Sequence, residues 1–127
     1  VKTEKAPTKA LAALEKSIRE HSLSYPEVTE DFPWGHPAIK VRGKMFSVWS
    51  IADGELTLSV KLPQSKDSAL MLPFAAPTGY GMGKSGWVTL TLTGKEKLPI
   101  GIIKDWIDES YRAIAPKKLS KALSPRK

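Results

Sequence analysis

The sequence contains no cysteine. Disulfides, thiolate metal sites and a cysteine nucleophile are therefore excluded. It has only two histidines, His21 and His36, fifteen residues apart, with no paired carboxylate pattern beside them. A zinc or iron site needs three or four converging ligands, so no metal and no cofactor is expected. No apolar run approaches the roughly 20 residues of a membrane span, and no membrane partner is expected. The chain starts Val1-Lys2-Thr3-Glu4-Lys5, which leads into no apolar signal-peptide core. Since the first residue is not Met, a removed leader stays open.

What is present is 127 residues, 41% of them hydrophobic and 26% charged. That is enough for one domain with a real core. The formal net charge is +7 and the pI about 9.7. The charge is unevenly placed. Residues 1–60 carry 8 basic and 8 acidic side chains, whereas 112–127 carry six basic side chains and no acid. A solvated basic tail is the plain reading. An arm that touches phosphates is the sharper one.

Periodicity predicts the elements. Thr8 caps a helix to His21, with Leu11, Leu14 and Ile18 on one face. Tyr25-Pro26 and Phe32-Pro33-Trp34-Gly35-His36-Pro37 break regular structure, so 22–37 reads as a loop with at most one turn of helix. A strand at 38–42 turns through Arg42-Gly43-Lys44 into another at 45–51. Asp53-Gly54 then marks a hairpin into 55–62. In that strand Leu56, Leu58, Val60 and Leu62 alternate with Thr57, Ser59 and Lys61. A short helix is expected over 64–72 with Ser65 as its cap, then a glycine-rich loop at 79–86 and a strand at 87–93. Pro99 opens a last helix whose apolar stripe is Ile103, Trp106, Ile107, Ser110, Tyr111 and Ile114. Asp108 and Arg112 pair on its wet side, and Leu119 and Leu123 add one further turn. Successive hairpins between terminal helices give an α+β fold, an antiparallel sheet covered on one face by the N- and C-terminal helices. The expected organisation is an N-terminal tail at 1–7, a single domain at 8–119 and a basic tail at 120–127, as a monomer.

Four blocks resemble the MmcQ/YjbR family. They are Phe32-Pro33-Trp34-Gly35 followed by Ile39-Lys40-Val41-Arg42-Gly43-Lys44-Met45-Phe46, then Gly86-Trp87-Val88, then Trp106-Ile107-Asp108-Glu109-Ser110-Tyr111-Arg112, and Ala115-Pro116-Lys117-Lys118-Leu119. The resemblance implies a fold like the frataxin and CyaY group. It carries no established enzymatic activity, and it implies a predicted role in DNA binding. The chain departs from it at Gly83-Lys84-Ser85-Gly86, where many members have Asn and His around the lysine. Frataxin-type iron binding would want an acidic first helix. This one offers Glu15 and Glu20 among Lys9, Lys16 and Arg19, so that function is not expected to travel with the fold.

Several motifs are weighed against plainer readings. Thr78–Ser85 looks like a phosphate loop, but its spacing fails G-x-x-x-x-G-K-[ST] and a strand follows where a helix is needed. A tightly turned loop is the plain alternative, and an anion-binding nest helped by Lys84 the other. Ser85 lacks a nucleophile elbow and a His–Asp partner pattern. Glu27, Glu30 and Asp31 form an acidic cluster that reads as loop capping and solvation unless burial tunes it. No catalytic constellation results, and no enzymatic activity is expected. The best functional expectation is weak, largely sequence-independent binding of DNA or RNA. Lys40, Arg42, Lys44, Lys61 and Lys84 would contact phosphates, Arg112, Lys117 and Lys118 would add affinity, and Trp87 or Trp49 would serve as a stacking platform. The alternative is a protein-interaction or small-ligand module, with a pocket between the Phe32–Pro37 and Gly79–Gly86 loops lined by Trp34, Tyr80 or Trp87.

Overall fold

The computed structural model describes residues 8–79 and 81–123, apart from the Trp34 side chain. The elements follow in the order α1 (Lys9–Leu23), β1 (Val28–Asp31), β2 (Ala38–Val41), β3 (Lys44–Ala52), β4 (Glu55–Lys61), α2 (Lys66–Leu70), β5 (Ala75–Pro77), β6 (Trp87–Leu92), α3 (Ile100–Ile114) and α4 (Lys117–Lys121). Among the described residues the strands form one antiparallel sheet in the order β1-β2-β3-β4-β6-β5. The expected α+β class is what the chain adopts.

Two-residue turns set the central register. Arg42 and Gly43 have φ of 51° and 81°, and Asp53 and Gly54 have 52° and 78°. Positive φ at both central positions matches the right-handed twist of the flanking strands. Along β4 and β6, Leu56, Leu58, Val60, Val88, Leu90 and Leu92 are buried, and Thr57, Ser59, Thr89 and Thr91, which alternate with them, are partly exposed. The buried set meets Ile103, Trp106, Ile107 and Tyr111 of α3 and Leu11 and Ile18 of α1.

One irregularity adds an aromatic to this core. The β2–β3 register shifts between Ile39 and Lys40, so that Ser47 pairs with Ile39 and Met45 with Lys40. Phe46 is the extra residue of this bulge, and both it and Ser47 are fully buried. A bulge re-aims a side chain in this way. Phe46 stands edge-on to Tyr25 and Tyr111, whose rings stack 4.4 Å apart. Ser47 accepts a hydrogen bond from Ser22 of α1 at 3.0 Å.

Two strands were not expected. Residues 28–31 pair with β2 and make an edge strand instead of a loop. Its alternation is concealed because one inward position is Glu30, which forms an ion pair with Arg19 of α1. The other, β5, is three residues long and ends in proline, as edge strands tolerate. Ser65 precedes α2 but does not cap it with its side chain. Its hydroxyl donates to Glu109 at 2.6 Å, and the same carboxylate accepts from the Gln64 and Ser65 N–H groups at 2.9 Å. Glu109, on α3, thus closes the start of α2 from outside. Pro99 sits at the cap of α3, one position before the expected first turn. Finally, α4 runs to Lys121 and crosses the expected domain boundary at 119. Ala115 and Leu119 are buried, so the chain after Tyr111 is partly core and not simply a tail.

Candidate nucleic-acid interface

Strand register gathers the candidate cations at one end of the sheet. Val41 pairs with Lys44, Ser47 with Val60, and Lys61 with Trp87. The end of β2, the start of β3, the end of β4 and the start of β6 therefore lie together. The second half of α3 reaches the same end. Ser110 donates to the Phe46 carbonyl at 2.6 Å and accepts from the Lys61 N–H at 2.8 Å. Arg112, Lys117 and Lys118 follow from α3 and α4, and Lys84 lies in the turn that delivers β6.

These cations are not equivalent. Lys40 bonds Asp31 at 2.9 Å. Arg42 bonds Glu27 through Nε at 2.8 Å and a second nitrogen at 3.3 Å. Arg112 bonds Asp108 at 2.7 Å. The hydrogen bond from Lys40 holds the Asp31 carboxyl below its ordinary range. The hydrogen bond from Arg42 does the same to Glu27, with Lys118 adding a smaller attraction. Arg42 is in turn held more basic by Glu27. The acidic cluster is thus a set of cross-element partners: Glu27 to Arg42, Glu30 to Arg19 and Asp31 to Lys40. By contrast, Lys44, Lys61, Lys84, Lys117 and Lys118 form no ion pair among the described residues. Of these five, four are exposed and Lys61 is partly so.

The stacking platform does not hold. Trp49 is 1% exposed and lies on the helix-covered face. Its Nε1 donates to Glu15 at 3.0 Å, and the Arg19 guanidinium lies 5.3 Å from its ring centre. Trp87 shares the open face with Lys61 but is only 7% exposed. Neither ring has a free π-face to offer a base.

The glycine-rich loop is closed on itself. Met82, Gly83, Lys84 and Gly86 donate their N–H groups to Gly79, Thr78, Gly81 and Gly83 within the loop. Lys66 Nζ braces it by donating to the Gly83 carbonyl at 2.8 Å. A Cβ at Gly83 would come within 2.7 Å of Pro77 Cβ, so the glycine is needed for close packing. With these four N–H groups consumed inside it, the loop makes a tight turn. As for a pocket between the two loops, the Trp34 side chain and Tyr80 lie outside what is described. His36 instead lines a depression of about 150 Å³ with Val48, Ser50, Thr57 and Ser59 on the open sheet face.

His21 is committed elsewhere. Its Nε2 lies 3.0 Å from the Tyr25 hydroxyl, which donates to Asp108 at 3.0 Å. Burial, and then repulsion by Lys104, lowers the His21 pKa from the ordinary value of 6.5. Among the described residues no three His, Asp or Glu side chains cluster as metal ligands.

Sequence reasoning set Thr57 and Ser59 opposite the buried leucines but gave the hydroxyls of the open face no role. Ser50 and Thr57 lie 2.8 Å apart, Ser59 and Thr89 2.8 Å, and Thr78 and Thr89 2.9 Å. The signal was the run of Ser and Thr at alternate positions of β4 and β6.

The fold and this end of the sheet define a small α+β protein with one helix-covered and one open sheet face. The family model described as YjbR matches residues 23–113, and the chain belongs to that family. No curated protein matches it significantly. No described helix is long and apolar enough to cross a membrane.

Proposed function

We propose that the protein binds nucleic acid through phosphate contacts at the end of the sheet, with little dependence on sequence and without catalysis. The observation that carries this reading is the set of five lysines, Lys44, Lys61 and Lys84 at the sheet end and Lys117 and Lys118 on α4, that form no ion pair among the described residues. Backbone contacts of this type position a nucleic acid but read no bases. The paired states of Glu27, Glu30 and Asp31 favour a charge-balancing role over acid–base chemistry. A cytoplasmic location belongs to the same proposal.

The test is titration of a labelled oligonucleotide at several salt concentrations. Each phosphate contact releases counterions and contributes a slope of about −0.7 for single strands or about −0.9 for duplex in log K against log salt. Five contacts to a single strand predict a slope of about −3.5. Absence of binding at low salt, or binding that salt does not weaken, contradicts the reading and favours a protein-interaction or small-ligand module.

A further inference from the structure

We infer that the nucleic acid is single-stranded and that its sugar–phosphate backbone runs from Lys61 along β4 across the open face of the sheet. This inference rests on the function proposed above and names the substrate class of that site.

The first ground is donor placement. Lys61, Ser59 and Thr57 project from the same side of β4, and residues two apart on a strand are about 6.6 Å apart. Ser59 is joined across the sheet to Thr89 and, through it, to Thr78. Thr57 is joined to Ser50. In a chain of hydroxyls each link consumes one proton. The Ser50–Thr57 pair and the Ser59–Thr89–Thr78 chain therefore each keep one O–H for an outside acceptor. The result is an ammonium followed by two rows of hydroxyl donors in a straight line, at a pitch comparable to the phosphate spacing of an extended strand. Serine and threonine hydroxyls are ordinary phosphate ligands.

The second ground is shape and charge together. The rows continue directly from the cationic end, so a polyanion held by Lys61 is led onto them. A depression of about 150 Å³ lined by His36, Val48, Ser50, Thr57 and Ser59 lies on this line. A duplex strand curves away from a flat face and would meet fewer rows. Bases in this arrangement face solvent, consistent with Trp49 and Trp87 being unavailable for stacking.

The experiment compares a labelled oligothymidylate with a duplex of equal length. It uses the wild-type chain, the row variants Ser50→Ala/Thr57→Val and Ser59→Ala/Thr89→Val, and Lys61→Gln. Valine keeps the strand preference of threonine, and thermal melting confirms folding of each variant. If one row variant fails to fold, the other carries the test. Each row variant is expected to weaken oligothymidylate binding about fivefold, the size of one net hydrogen bond. Its salt slope should stay unchanged, because a hydroxyl displaces no counterion. Lys61→Gln should reduce the slope by about 0.7. Duplex binding should be weaker and insensitive to the rows. Unchanged oligothymidylate affinity in a folded row variant, with Lys61→Gln still lowering the salt slope, overturns the track and leaves the lysine reading standing. Equal sensitivity of the duplex overturns the single-strand assignment. Absence of binding by the wild-type chain overturns both.

Discussion

Two groups of cations differ in what surrounds them. At the β1 side, Arg19, Lys40 and Arg42 each face an acid from the same short segment, Glu30, Asp31 and Glu27. At the β4–β6 end and on α4, Lys44, Lys61, Lys84, Lys117 and Lys118 have no such partner among the described residues. The first group fastens an edge strand to the sheet and to α1. The second presents charge to solvent. A net charge of +7 does not tell them apart. What separates them is that β1 exists and brings Glu30 and Asp31, with Glu27 just before it, beside their partners.

The largest expected effect probes the fastening role. Trp49→Ala should cost about 3–5 kcal/mol in chemical denaturation. It removes a buried aromatic and the surface on which Arg19 rests, so hydrogen exchange should loosen β1 before β4. Next, Ser110→Ala leaves the buried Phe46 carbonyl and the Lys61 N–H without their hydroxyl, at about 1–3 kcal/mol. Protection lost at Lys61 would show that the free lysines stand on a rigid end; unchanged protection would count against that. A smaller effect comes from converting one group into the other. Glu27→Gln with Asp31→Asn frees Arg42 and Lys40, and oligonucleotide affinity should rise severalfold while the salt slope steepens by about 1.4. Stability should change little, since exposed pairs contribute about 0–1 kcal/mol each.

The smallest effect concerns pH. The folded chain holds His21 below its ordinary value of 6.5 through burial and Lys104, opposed by Asp108 and Asp105. The unfolded chain therefore takes up the proton first as pH falls. Stability should decline as pH drops from the ordinary histidine range toward the lowered folded value. His21→Gln should flatten that part of the profile, measured by denaturation at a series of pH values.

Much of the fold was legible because its signals are local. Alternation in 55–62 and 87–93, the Asp53-Gly54 turn and the stripe of α3 each depend on nearby residues. The strand at 28–31 was not, because its inward Glu30 finds Arg19 eleven residues back in sequence. The candidate lysines were legible as residues, but their ion pairing was not. Nothing local shows that Asp31 stands beside Lys40 or that Glu109 closes α2. Trp87 alternates with the polar face, yet it is buried there.

The central claim is that the unpaired cations, and not the total charge, bind the partner. The most direct measurement is the salt slope of oligonucleotide binding for two variants. One replaces Lys44, Lys61, Lys84, Lys117 and Lys118 by Gln; the other replaces Lys40 and Arg42. The first should lose nearly the whole slope, about 3.5 for a single strand, and the second should lose almost none. A similar loss per residue in both would contradict the account.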